Sequence, residues 1–148
     1  MTYGKLPTRQ QDSFGSGAYL APRSSSDRKG QKYSYEHNGV DKSCYPLTEI
    51  ESDIQGVVTK LGYPYGDDLS FRYVQITDKA GFKHRYFYVE PHVVVGQPVS
   101  EGEIIGVTQK LNDRYEGITE HCHYEIKDDK HKHYNPETFK EDLKNGKI

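Results

Sequence analysis

Two histidines one residue apart, His121-Cys122-His123, lie in a segment that alternates apolar and polar and runs on as Tyr124-Glu125-Ile126. In a strand both imidazoles project from one face, about 6 to 7 Å apart at the backbone. Such a pair can converge on one metal ion or flank it, but a bare His-x-His fits two solvated histidines on a sheet equally well. A second set of donors stands at His37-Asn38-Gly39-Val40-Asp41. Fully extended, His37 and Asp41 would be about 13 Å apart, yet Asn-Gly is a turn signal that can fold the chain until both heads meet. Imidazoles and a carboxylate are zinc ligands at about 2.0–2.2 Å. Three of them leave the fourth tetrahedral position open for water, the catalytic rather than the structural arrangement. Zinc there would polarise a carbonyl and acidify water. His-x3-Asp alone is more often a surface turn; the combination is what carries weight.

The elements that must position these groups read as strands. Short apolar runs recur between turn signals at Val57-Val58, Val74-Gln75-Ile76, Phe82 to Val89, Val93-Val94-Val95, Ile104 to Val107 and His121 to Ile126. Thr77-Asp78-Lys79-Ala80-Gly81 supplies turn chemistry, so Phe71–Thr77 and Phe82–Val89 should pair as a hairpin. Tyr 13 and Phe 5 among 148 residues favour pleated surfaces. Residues 1–32 hold few aliphatics, and Ser24 to Gly30 is a polar run that cannot pack a core, which predicts a wrapping arm and loop. Helix is expected only over 135–146: Asn135 is a good cap, Pro136 suits the first position, Phe139 and Leu143 stack at i, i+4, and Gly146 can end it. With no internal repeat or linker, residues 1–148 read as one domain.

Composition excludes several functions. Lys+Arg 20 against Asp+Glu 22 leaves a net charge of −2, which offers no long-range attraction to nucleic-acid backbones or anionic lipid. No stretch approaches the ~20 apolar residues of a spanning helix, and the N-terminus lacks a signal-peptide core. Two cysteines make no disulfide framework; Cys44 and Cys122 are buried thiols by default, bridged only if their strands adjoin in an oxidising compartment.

Other candidates read as follows. Glu125 either steadies an imidazole on the metal face or is an exposed strand acid. Glu120 has opposite parity to His121 and is expected to be solvated. His131 and His133, among Lys and Asp, suggest an exposed turn, and His92 a surface loop. Tyr33, Tyr35, Tyr45, Tyr63 and Tyr65 could line a cleft or simply pack across strands.

The string His37-Asn38-Gly39-Val40-Asp41, Tyr45-Pro46, Gly56-Val57-Val58, Val95 to Gly106, Gly117 and His121 to Ile126 resembles the M23 family of lysostaphin-like zinc metallopeptidases. Order and spacing agree from about Gly15 to Pro136. The resemblance implies a mostly β, two-layer antiparallel scaffold with, here, a short C-terminal helix. It implies His37, Asp41 and His123 as zinc ligands, His121 as catalytic acid or base, and peptide bonds of bacterial cell-wall peptidoglycan as the substrate.

One position departs from the family pattern. Where members carry a second catalytic histidine, this chain has Tyr88, in Arg85-Tyr86-Phe87-Tyr88-Val89. The same exchange, with Phe87 to Pro91 and Tyr115-Glu116-Gly117-Ile118, is similar to the LECT2-type, chemotaxin-like branch, regarded as zinc-retaining and non-proteolytic. A phenol can donate to an oxyanion but cannot accept a proton near neutral pH, its ordinary pKa being about 10. His84 lies about 13 Å back along the strand, too far to substitute. The expected function is therefore a zinc-dependent peptidoglycan endopeptidase, in the extracellular space, cell envelope or a phage particle. The alternative is a zinc-stabilised binding or structural module with a protein or glycan partner.

Overall fold

The computed structural model describes residues 6–10, 12, 15–26 and 31–148. Among the described residues twelve strands and one α-helix follow in order: β1 Pro22–Ser26, β2 Lys32–Glu36, β3 Val40–Ser43, β4 Glu49–Glu51, β5 Gly56–Gly62, β6 Tyr73–Thr77, β7 Lys83–Phe87, β8 Val89–Pro91, β9 Pro98–Val99, β10 Ile104–Thr108, β11 His121–Lys127, β12 His133–Tyr134 and α1 Phe139–Lys144. A seven-stranded sheet runs β12-β11-β7-β6-β5-β9, with β3 also on β11; a three-stranded sheet runs β4-β10-β8. All the pairings are antiparallel.

Period-two alternation decides what each face does. Val74, Ile76, Tyr86, Tyr124 and Ile126 point one way and are buried with Ile50, Val89 and Ile105 of the smaller sheet, so the core lies between two β layers. Burying these side chains stabilises each by roughly 1.5–3 kcal/mol. Polar members of this layer are satisfied: His84 Nδ1 bonds the Tyr124 hydroxyl at 2.7 Å and its Nε2 bonds Asp78 at 2.8 Å, a structural role.

The expected hairpin forms, with Tyr73 opposite Phe87 and Thr77 opposite Lys83. Asp78 Oδ1 accepts from the amides of Ala80 and Phe82, and Gly81 takes a φ of +93° that suits its missing side chain. The second strand does not run through to Val89, however. Tyr88 has a φ of +67°, which ends β7 and sends β8 onto the smaller sheet. Val93-Val94-Val95 is not a strand: only Val93 is buried, and the chain turns at Gly96. The polar run from Ser24 is not wholly loop either, since Pro22–Ser26 pairs with Lys32–Glu36. Backbone hydrogen bonds alone can hold such a ladder; residues 27–30 lie outside the described part, as do residues 1–5 of the expected arm. The C-terminal helix is shorter than 135–146. Asn135 instead closes a turn, its Oδ1 accepting from the Glu137 amide, and only Phe139 docks, against Phe82, His84 and Tyr134, while Leu143 is exposed.

Candidate metal centre and cleft

Strand pairing brings the early and late motifs together. β3 lies against β11 with Asp41 directly opposite His123, and the bend at Asn38-Gly39 swings His37 back over the pair. Glycine at 39 is required by close approach: a Cβ there would stand 2.2 Å from the Tyr124 carbonyl oxygen and 2.8 Å from the His123 ring. His37 Nε2, His123 Nδ1 and Asp41 Oδ1 form a triangle with sides of 3.1, 2.9 and 3.3 Å. Tetrahedral zinc with bonds of about 2.0–2.2 Å sets its donors roughly 3.3 Å or slightly more apart, so this set fits the ion.

Each imidazole is held by its other nitrogen. His37 Nδ1 donates to the Ala18 carbonyl at 3.0 Å, and His123 Nε2 donates to Glu125 Oε1 at 3.0 Å. These anchors leave His37 Nε2 and His123 Nδ1 as the nitrogens turned toward the triangle, where a metal ion would take their lone pairs. Glu125 is thus a buried supporting residue, and its Oε2 reaches His133 Nε2 at 3.3 Å. His133 is accordingly drawn inward rather than held in an exposed turn. Burial opposes ionisation of Glu125, but its bonds to His123 and His133 hold the carboxyl well below the usual range.

Arg9 is a functional neighbour that the sequence reading did not single out. Only 3% exposed, it donates from Nε and Nη2 to Asp41 Oδ2 at 3.2 and 3.1 Å, and from Nη1 to Asp12 and the Gly15 carbonyl, both at 2.8 Å. The segment carrying it is laid along β3 by the Arg9 amide on the Asp41 carbonyl and the Asp41 amide on the Gly17 carbonyl. Arg23 Nη2 stands 3.7 Å from the same Oδ2. Burial would raise the Asp41 carboxyl; its bonds with His123 and His37 and the nearby His121 prevail and hold it well below the ordinary value. No sequence signal marked Arg9, because an isolated arginine in a polar arm has no period or motif.

The triangle lies in an open cleft of about 510 Å³ that Tyr35, Tyr65, Phe87, Tyr88, Tyr115 and His121 also line. His121 Nδ1 donates to the Thr119 carbonyl at 2.7 Å, leaving Nε2 facing Asp41 Oδ2 at 3.5 Å. Burial lowers the His121 pKa despite the attraction of Asp41. By strand parity Tyr88 belongs to the core face, with Tyr86; its left-handed backbone turns the ring out of that layer to meet His121 edge-on, centroids 5.6 Å apart. Its hydroxyl accepts from Tyr65 at 3.2 Å, which frees its own proton for another acceptor. Burial raises the Tyr88 pKa, so the phenol stays protonated.

Other expectations are redistributed. Tyr35 and Tyr65 reach the cleft, while Tyr45 and Tyr63 are exposed elsewhere, and the Tyr33 side chain lies outside the described part. Glu120 is not simply solvated: it accepts from the Leu111 and Asn112 amides at 2.7 and 3.0 Å and so caps the short turn at Leu111–Asp113. His92 is exposed and does not line the cleft. Cys44 and Cys122 are unbridged thiols; burial pushes Cys44 up to about 11 and holds Cys122 well above the ordinary thiol value.

Residues 35–136 match peptidase family M23. Mouse (Mus musculus) leukocyte cell-derived chemotaxin-2 is 27% identical over 117 residues, which span 79% of this chain and 71% of that protein. A mutant of the catalytic domain of the prophage-encoded M23 protein EnpA from Enterococcus faecalis superposes with a TM-score of 0.59 at 20% identity, covering 90% of this chain and 96% of that one. The catalytic domain of lysostaphin from Staphylococcus simulans gives 0.52 at 22% identity, over 78% and 77%. These structural likenesses show a shared fold.

Proposed function

The chain belongs to peptidase family M23, and on that premise we propose that it is a zinc-dependent endopeptidase that hydrolyses peptide bonds of bacterial cell-wall peptidoglycan, outside the cytoplasm. The observation that carries this reading is the triangle of His37 Nε2, Asp41 Oδ1 and His123 Nδ1 at the floor of an open cleft. Zinc held there would supply a Lewis acid for the substrate carbonyl and a lower pKa for water. The chain's own residues would do the rest. Arg9 and Glu125 fix the ligand orientations. His121, with Nδ1–H tied to Thr119, presents Nε2 to take a proton from water and return it to the leaving amine. Tyr88 offers its hydroxyl proton to the oxyanion, and Tyr65 holds that hydroxyl in place.

A second reading, a chemotaxin-like binding or structural module with a zinc-stabilised site and a protein or glycan partner, is favoured by Tyr88 itself. A phenol kept protonated by burial cannot shuttle protons as a histidine does. Incubating the metal-loaded chain with purified cell walls and counting new amino termini separates the two. The peptidase releases termini and His121→Ala does not; equal, negligible release by both leaves the module.

A further inference from the structure

The outward face of the large sheet continues the metal centre in three transverse rows. The first holds Tyr73, Phe87, His123 and Asp41; the second Lys60, Gln75, Arg85 and Glu125; the third Thr77, Lys83, Lys127 and His133. Rows two residues apart along a strand are separated by about 7 Å, so the third lies about 13 Å from the centre.

The cations of this face outnumber its acids. Lys83 and Lys127 stand directly opposite one another, an arrangement that destabilises a sheet. Among the described residues neither forms an ion pair, and Lys127 Nζ meets only His131 Nδ1, at 3.3 Å. The acid of the second row, Glu125, is engaged by His123 and His133 and lies 3.9 Å from Arg85. Lys60 hangs over the Tyr73 ring, 5.8 Å from its centroid. A chain of net charge −2 has no general excess of cations to scatter here. Burial, Arg85 and Lys83 together depress the Lys127 pKa, a cost that an anion on this face would offset.

We propose that this face, which adjoins the cleft through Glu125, is an acidic-peptide subsite, where carboxylates of an extended substrate meet Lys83 and Lys127, with Lys60 at its margin. The proposal rests on the peptidase reading for the word substrate, but binding is read without cleavage. A short glycine-containing peptide bearing two glutamates is titrated calorimetrically into the full chain, zinc added, beside the same peptide bearing glutamines. The acidic peptide is expected to bind about tenfold tighter at low salt, as ion pairs with exposed Lys60, half-buried Lys83 and the tip of the largely buried Lys127 would give, with the preference shrinking at high salt. The double variant Lys83→Gln/Lys127→Gln should lose the preference without a lower melting temperature, because a like-charge pair is removed. Equal binding of the two peptides, no binding of the acidic one, or a preference that survives in the double variant overturns the subsite. Intact preference in a chain that releases no wall peptides supports the subsite and removes only the peptidase reading.

Discussion

Arg9 closes both Nε and Nη2 onto a single oxygen of Asp41, Oδ2, and leaves Oδ1 to the two histidines. The carboxylate is thereby held to present one oxygen to a metal. Replacing Arg9 with Gln strands a buried charge. We expect a loss of about 3 kcal/mol in denaturant unfolding, the scale for breaking a buried ion pair. We also expect a changed visible absorption of the cobalt-substituted protein, because Asp41 becomes free to bind through both oxygens. An unaltered cobalt spectrum in a folded Arg9→Gln protein would show that Arg9 serves stability alone.

Zinc should stabilise the chain by linkage. At a thousandfold excess over its dissociation constant an ion bound only by the folded state adds about 4 kcal/mol. The melting temperature should rise on adding zinc and fall back with chelator, and His123→Ala should abolish the rise. A melting temperature indifferent to zinc in the native sequence refutes the three-residue centre.

Tyr88→Phe removes one oxyanion donor without disturbing the ring contact with His121. Wall hydrolysis should drop by about 10²–10³ in kcat, with KM little moved. Tyr88→His restores a group able to exchange protons and is expected to raise the rate above that of the native chain. Rates unchanged in both variants would place Tyr88 outside the chemistry.

Burial alone would raise the Asp78 carboxyl, but its bonds with His84 and the Phe82 and Ala80 amides lower it below the usual value. A carboxylate so depressed contributes stability that is present above its unfolded pKa of about 3.9 and is lost as pH falls through the folded value. Unfolding free energy should therefore decline on acidification below about pH 4, and less steeply in Asp78→Asn. Parallel curves for the two proteins would contradict this.

Much of the site could be read from local pattern. His121 and His123 share a face only if their segment is a strand, and the alternation through Ile126 says that it is. Asn38-Gly39 marked the bend between His37 and Asp41, although the tertiary reason for the glycine is the approach of Tyr124 and His123. The β6–β7 hairpin was legible because Asp78 and Gly81 are turn residues with a mechanism. Tyr88 was placed at the site by its position in the family pattern and not by strand parity, since one positive φ turns toward the cleft a side chain that period two would put on the core face. Glu120 and His133 were misplaced because their partners, the Leu111 turn and Glu125, are met only across folded segments.

By itself, then, the amino-acid order determined the chemistry on offer: which donors exist, which of them share a strand face, and where the chain must turn. These are properties of a few consecutive residues, governed by backbone geometry and turn stereochemistry. The tertiary structure alone decided that β3 lies against β11, that Arg9 takes one oxygen of Asp41, and that three lysines gather on one face of the large sheet. Those facts depend on which strands find each other and on how buried charge is neutralised, and nothing in the spacing of neighbouring residues encodes either.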